Sequence, residues 1–132
     1  MNSLKIDKVD KTVGGEIRIT GSKSESNRLL VLQQFFSNLE IKNLSNSDDS
    51  ELMQKALKST SNEINIGHAG TAMRFLTAFF AVKENSEITL TGSHRMKNRP
   101  IKILVDALKR LGANIEYIGK EGYPPIKITG KK

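Results

Sequence analysis

The sequence predicts an α/β fold built from two copies of one helix-and-strand unit, and two observations point there. Apolar residues switch along the chain between alternation, the spacing of a half-buried strand, and recurrence every three or four residues, the spacing of one helix face. Part of that order then returns with its residues attached. Arg28-Leu29-Leu30 is echoed by Arg74-Phe75-Leu76, and Ala56-Leu57-Lys58 followed by Ile64 is echoed by Ala107-Leu108-Lys109 followed by Ile115. Recurrence of a whole unit divides the chain into a leading segment over 1–20, a first α/β unit over 21–66 and a second over 67–132.

Leu4, Ile6 and Val9 alternate imperfectly with Lys5, Asp7 and Lys8, and Ile17 and Ile19 alternate within Glu16 to Thr20, so two short strands are expected around a turn at Gly14-Gly15. GSKSESNR, from Gly21 to Arg28, comes next and opens a helix from Ser24 to about Ser37, with Leu29, Leu32, Phe35 and Phe36 as its apolar face. Leu39 to Leu44 reads as a strand. SNSDDS, from Ser45 to Ser50, supplies cap residues to a helix with Leu52, Met53, Ala56 and Leu57 on one side. Asp48 and Asp49 there complement the positive end of the helix, a commoner role for first-turn acids than a catalytic pair.

Glu63 to Ile66 is expected as a strand, followed by GHAGTAMR from Gly67 to Arg74 and a helix to about Lys83. That helix is apolar nearly all round, which implies burial on several sides. Glu87 to Thr91 is again strand-like. GSHRMKNRP, from Gly92 to Pro100, crowds Arg95, Lys97 and Arg99 together before a helix whose buried face is Ile101, Leu104, Val105, Leu108 and Leu111. Pro100 suits its first turn, Asp106 and Arg110 lie at pairing distance, and Gly112 ends it. Ala113 to Ile118 and Ile126 to Thr129 read as strands joined through Gly122 and Pro124-Pro125.

Composition narrows the function classes. The 132 residues suit a single domain able to bury its own core, and the absence of cysteine excludes disulfides, thiolate metal sites and a cysteine nucleophile in this chain. The longest nearly apolar run, Phe75 to Val82, is too short to span a membrane, and MNSLKIDKVDK lacks the apolar core of a signal peptide. A cytoplasmic location without a membrane partner is therefore expected. No metal is expected, because His68 and His94 have no second ligand at metal spacing. A formal charge of +7 calls for anionic partners. GSKSESNR fits that demand, since helix-start N–H groups, serine hydroxyls, Lys23 and Arg28 together suit a phosphate or carboxylate; a serine-rich cap with two solvated charges is the plainer alternative.

Taken together, GSKSESNR, GHAGTAMRFL and GSHRMKNRPI, in this order and followed by LVDALKRLGA and a YPP turn, resemble the enolpyruvyl transferases, and within that family the branch acting on shikimate 3-phosphate. The resemblance covers essentially the whole chain but only the N-terminal part of such an enzyme. It implies repeated βαβαβ units with two helices packed on a mixed sheet, forming part of an inside-out α/β barrel lobe. It also implies transfer of the enolpyruvyl group of phosphoenolpyruvate to the 5-hydroxyl of shikimate 3-phosphate, in aromatic amino-acid biosynthesis, without a metal or organic cofactor. By motif position Lys23 contacts both substrates as the catalytic lysine. Ser24 and Arg28 hold shikimate 3-phosphate, and Gly70, Thr71 and Arg99 hold phosphoenolpyruvate; Arg74, an arginine in an otherwise apolar helix, is expected to pair with a nearby group and support the site from behind.

His68 stands where that family commonly has asparagine, Phe75 where it commonly has proline, and the stretch from Lys58 to Gly67 is short. The resemblance places the proton-transfer groups in a C-terminal lobe beyond this chain. The chain alone is accordingly expected to be inactive, the whole enzyme a monomer, and the first strand, a hinge element of the other lobe, open to pairing with a second copy. Beside a structural interaction domain, for which the sequence holds no positive signal, two alternatives stay open. One is the sister branch using UDP-N-acetylglucosamine, which GSKSESNR with RMKNRPI disfavours. The other is a basic RNA-binding module, which lacks aromatic residues among its basic loops, Tyr117 and Tyr123 lying late in the chain.

Overall fold

In the computed structural model, residues 2–8, 12 and 14–131 are described. The helix expected to be buried on several sides spans Gly70–Val82 (α3), and Ala72, Met73, Leu76, Phe79, Phe80 and Ala81 are all enclosed. Earlier in the chain come Lys23–Phe35 (α1), Asp48–Lys58 (α2) and Glu63–Asn65 (β1). After α3 come Glu87–Thr91 (β2), His94–Lys97 (α4), Lys102–Arg110 (α5), Asn114–Tyr117 (β3) and Ile126–Thr129 (β4).

The strands form one sheet in the order β1-β2-β4-β3, parallel between β1 and β2 and antiparallel elsewhere. Register places Ile64, Leu90, Ile126 and Tyr117 in one cross-strand row and Ile88, Ile128 and Ile115 in the next. These rows meet α3 and α5, while Glu63, Thr89, Lys127 and Glu116 form a row on the other face. That alternation is what a sheet covered on one side requires. Lys127 Nζ lies 3.0 Å from Glu87 Oε1 on the polar face. Helices α1 and α2 pack on α3 away from the sheet, so the helices stand on a mixed sheet in the expected α/β class. β1, which falls within the 21–66 unit, is an edge strand of this sheet.

Six expectations need correction. Residues 4–8 and 16–20 are not in strands, and Leu4, Ile6, Ile17 and Ile19 are 78–88% exposed. Alternation alone makes no ladder where no described strand lies alongside; Val9 is outside the described residues. Residues 39–44 are irregular because side chains take the place of ladder partners. Gln33 Nε2 donates to the Leu39 carbonyl at 2.8 Å, the Ser45 N–H donates to Ser26 Oγ at 2.9 Å, and Asn43 adopts φ 53°.

The inward face of α1 is Ser26, Asn27 and Leu30, while Leu32, Phe35 and Phe36 are about half exposed. Ser50 Oγ donates to Asn27 Oδ1 at 3.0 Å, and this bond with the Ser26 contact turns the polar side inward. Leu111 is 84% exposed, lying beyond the last turn of α5 at the Gly112 stop, where φ is +95°. Asp106 pairs with Lys102 at 3.3 Å instead of Arg110. Glu121, at 2.9 Å, and Asp106 together raise the Lys102 pKa above the ordinary lysine value.

Among the described residues no helix is long and apolar enough to cross a membrane. Leu76 has no exposed surface, whereas Ile103 is 90% exposed. Leu76→Ala should therefore lower the unfolding free energy by about 3 kcal/mol, and Ile103→Ser should change it by less than about 0.5 kcal/mol. Urea unfolding followed by circular dichroism checks both, and equal effects at the two positions would contradict this account of the core.

Candidate functional site

Three helix starts and one basic loop converge on an open cavity of about 290 Å³. Ser22 caps α1, its Oγ accepting from the Glu25 N–H at 3.4 Å, and Ser47 caps α2 by accepting from the Ser50 N–H at 3.4 Å. Ala69, the residue before α3, has no side chain able to cap the helix start. Gly70 and Thr71 border the cavity, and the first N–H groups of a helix have no intrahelical acceptor. The positive end of α3 is thus directed at whatever occupies this space.

The loop after β2 is fastened to the loop before α3. The Ser93 N–H donates to the Gly67 carbonyl at 2.8 Å, and Met96, 1% exposed, anchors α4 in the core. Arg95 in α4 and Arg99 just beyond its end then line the cavity together. A Cβ at residue 70 would lie 2.7 Å from Arg99 Cζ, so glycine at 70 leaves room for the Arg99 guanidinium over the start of α3. Gly21 answers a similar demand, since a Cβ there would collide with the Asn43 carbonyl. It lets the chain enter α1 against the irregular 39–44 segment.

Lys23 reaches the cavity from the first turn of α1, with Nζ 3.6 Å from Asp49 Oδ1. Asp49 Oδ2 accepts from the Ala72 N–H at 3.2 Å. His68 also borders the cavity and its Nε2 lies 4.0 Å from Asp48 Oδ2, both side chains being exposed. Lys23, Gly70, Thr71 and Arg99, four of the expected site residues, are therefore together. Ser24 and Arg28 lie outside this cavity. Arg28 Nη1 donates to the Ser24 carbonyl at 2.8 Å, and its guanidinium stands 5.4 Å from the centre of the Phe75 ring. Phe75 in turn borders a shallower depression, about 420 Å³, shared with Gly70, Thr71, Arg74 and Arg99.

Arg74 bridges two carbonyls, donating from Nη1 to Gly70 and from Nη2 to Pro100, each at 3.0 Å. Its guanidinium joins the start of α3 to the end of the basic loop. Asp49, Arg95 and His68 were not among the expected site residues. The RMKNR spacing is a signal for Arg95, whereas the first-turn position of Asp49 favours a dipole-complementing acid over a catalytic one. Among the described residues no group of three or more His, Asp or Glu side chains could hold a metal ion.

A family model described as EPSP synthase (3-phosphoshikimate 1-carboxyvinyltransferase) matches residues 58–132. A 3-phosphoshikimate 1-carboxyvinyltransferase of Bacteroides fragilis is 46% identical over 117 residues, covering 88% of this chain and 28% of the relative. One from Tolumonas auensis is 39% identical over 158 residues, covering 99% of this chain and 36% of the relative. The structure of EPSP synthase from Acinetobacter baumannii superposes with a TM-score of 0.74 at 22% identity, covering 89% of this chain and 32% of that one. The latter likeness shows the fold. This chain spans about a third of the length of these relatives.

Arg74→Met should remove the bridge between the start of α3 and Pro100 while keeping the aliphatic stem. The expected loss is about 1–3 kcal/mol of unfolding free energy, measured by urea denaturation, because two carbonyls lose a charged donor. An unchanged midpoint would show that the bridge contributes nothing.

Proposed function

The chain belongs to the EPSP synthase family, and from that membership we propose that it forms the substrate-holding wall of an enzyme transferring the enolpyruvyl group of phosphoenolpyruvate to the 5-hydroxyl of shikimate 3-phosphate. The observation that carries this reading is the convergence of Lys23, Arg95 and Arg99, from two separate segments, with the start of α3 around one cavity. Such an array suits a ligand with phosphate and carboxylate groups, because guanidinium forks and helix N–H groups match their oxygens.

Phosphoenolpyruvate sits at Gly70, Thr71 and Arg99, close to the backbone at the start of α3. Shikimate 3-phosphate lies on the side of Ser24 and Arg28, and Lys23 stands between them. In the overall reaction a C–O bond forms between the 5-hydroxyl oxygen and C2 of phosphoenolpyruvate, through a tetrahedral adduct, and inorganic phosphate leaves from the same carbon. The hydroxyl proton departs with the products, so the enolpyruvyl group is transferred without oxidation or reduction. The Lys23 ammonium acts where negative charge gathers on the departing phosphate. Arg74 holds the loop bearing Arg99 against α3 and touches neither substrate.

On this reading the division into 1–20, 21–66 and 67–132 follows the units of the family's fold. Groups that move the proton come from a second lobe, with which the segment 1–20 associates. The chain alone binds substrate and does not turn it over, and the location is cytoplasmic.

Titration of the chain with shikimate 3-phosphate and with phosphoenolpyruvate, read by amide NMR shifts, tests the assignment. Saturable shifts around Lys23 are expected. Arg28→Ala should weaken shikimate 3-phosphate binding about tenfold to a hundredfold, and Arg99→Gln should do the same for phosphoenolpyruvate, the range for losing one charge-assisted contact. Absence of binding, or equal affinity in both variants, would overturn the site assignment. Turnover by the chain alone would overturn the claim of incompleteness.

A further inference from the structure

We propose that Asp49 is a positioning residue that aims the Lys23 ammonium into the cavity and, as its resident counter-charge, holds down the affinity of the empty site for anions. This rests on the anion-site reading above and adds a residue to it. Among the described residues lining the cavity, Asp49 supplies the carboxylate that opposes Lys23, Arg95 and Arg99. Its side chain is 13% exposed, and its two oxygens do different work. Oδ2 accepts from the Ala72 N–H at 3.2 Å, which fixes the carboxylate to the first turn of α3. Oδ1, so fixed, lies 3.6 Å from Lys23 Nζ. One acid in the first turn of α2 thereby joins the starts of α1 and α3.

Two effects of opposite sign follow. A lysine ammonium on a flexible stem, here 48% exposed, loses reach and direction unless something holds it, so the ion pair keeps Lys23 in the cavity before ligand arrives. An incoming anion must share Lys23 with a carboxylate that repels it, which lowers ground-state affinity. The hydrogen bond to Ala72 keeps Asp49 from moving aside when the anion enters. A role confined to joining α2 with α3 would make only one forecast, that removing the carboxylate loosens the site.

The experiment measures sulfate affinity by amide NMR titration at low ionic strength, in the native chain and in Asp49→Asn, Lys23→Gln and the double variant. Asparagine keeps an oxygen for the Ala72 N–H while deleting the charge. Asp49→Asn should bind sulfate about three- to tenfold more tightly than the native chain, and the gain should shrink as salt is added. The gain should be larger in the Lys23→Gln background, where nothing neutralises Asp49.

Equal or weaker sulfate binding in Asp49→Asn, with the native chain binding normally, would overturn the role of Asp49 and leave the anion site standing. No sulfate binding by the native chain would overturn both. Asp49→Ser, which also retains an acceptor, guards against a folding defect peculiar to asparagine. If both variants unfold by circular dichroism, the carboxylate is a structural tie and the proposal fails.

Discussion

Helix α3 has to be covered on nearly every side, and the rest of the molecule is arranged around that need. Its 13 residues include one charged side chain, Arg74, and eight buried positions. At about 1.5–3 kcal/mol for each large apolar side chain taken out of water, Leu76, Phe79 and Phe80 alone make exposure of this helix untenable. The isoleucine-rich rows of β1, β2 and β4 cover one side, α5 another, and α1 with α2 the third. A helix enclosed along its length still has an end, and the start of α3 is where the enclosure stops. Lack of a side-chain cap there leaves first-turn N–H groups to be satisfied by the Asp49 carboxylate and by what enters the cavity.

The contact between α1 and α2 is of another kind. Ser26, Asn27, Ser45 and Ser50 are all buried, joined by the Ser45 N–H to Ser26 Oγ and by Ser50 Oγ to Asn27 Oδ1. Asn27 Nδ2 has no partner among the described residues, and an unmet buried donor costs about 1–3 kcal/mol. A leucine-lined seam would tolerate sliding and rotation of α1 against α2. Directional hydrogen bonds admit one register, and that register decides whether Lys23 in α1 meets Asp49 in α2. Stability is given up here at the place where two segments of the site must be aligned.

This difference between apolar and polar packing also explains what could be read from the residues alone. Helices α2, α3 and α5 and strands β2 and β4 were legible because periodicity, caps and the Gly112 stop all agreed locally. The inward face of α1 was not. Nothing near Asn27 in sequence says that it is buried, since Ser50, its partner, lies 23 residues away. Residues 39–44 look like a strand because Leu39, Ile41 and Leu44 are apolar, yet at one end the Leu39 carbonyl accepts from Gln33 in α1, and just past the other the Ser45 N–H donates to Ser26 in α1. Of the site, Lys23, Gly70, Thr71 and Arg99 followed from short motifs, which record local backbone demands well. Asp49 escaped because its role depends on Ala72, again 23 residues distant.

Four arginines lie within this region, and what each is bonded to decides what it can do. Arg74 has both outer nitrogens committed to the carbonyls of Gly70 and Pro100, so it holds the scaffold and has little left for a ligand. Arg28 has Nη1 on the Ser24 carbonyl and its guanidinium carbon 5.4 Å from the centre of the Phe75 ring, so less of its fork is committed to carbonyls than in Arg74. Among the described residues no carboxylate pairs with Arg95 or Arg99, and both border the cavity. Two cations with Lys23 in one small space repel each other, a cost that falls when an anion enters and that Asp49 offsets beforehand at Lys23 alone. An anion entering this cavity would therefore be drawn hardest toward the Arg95 and Arg99 side, beside the start of α3. Lys23, already paired, adds less to that draw, because an anion must share its ammonium with Asp49.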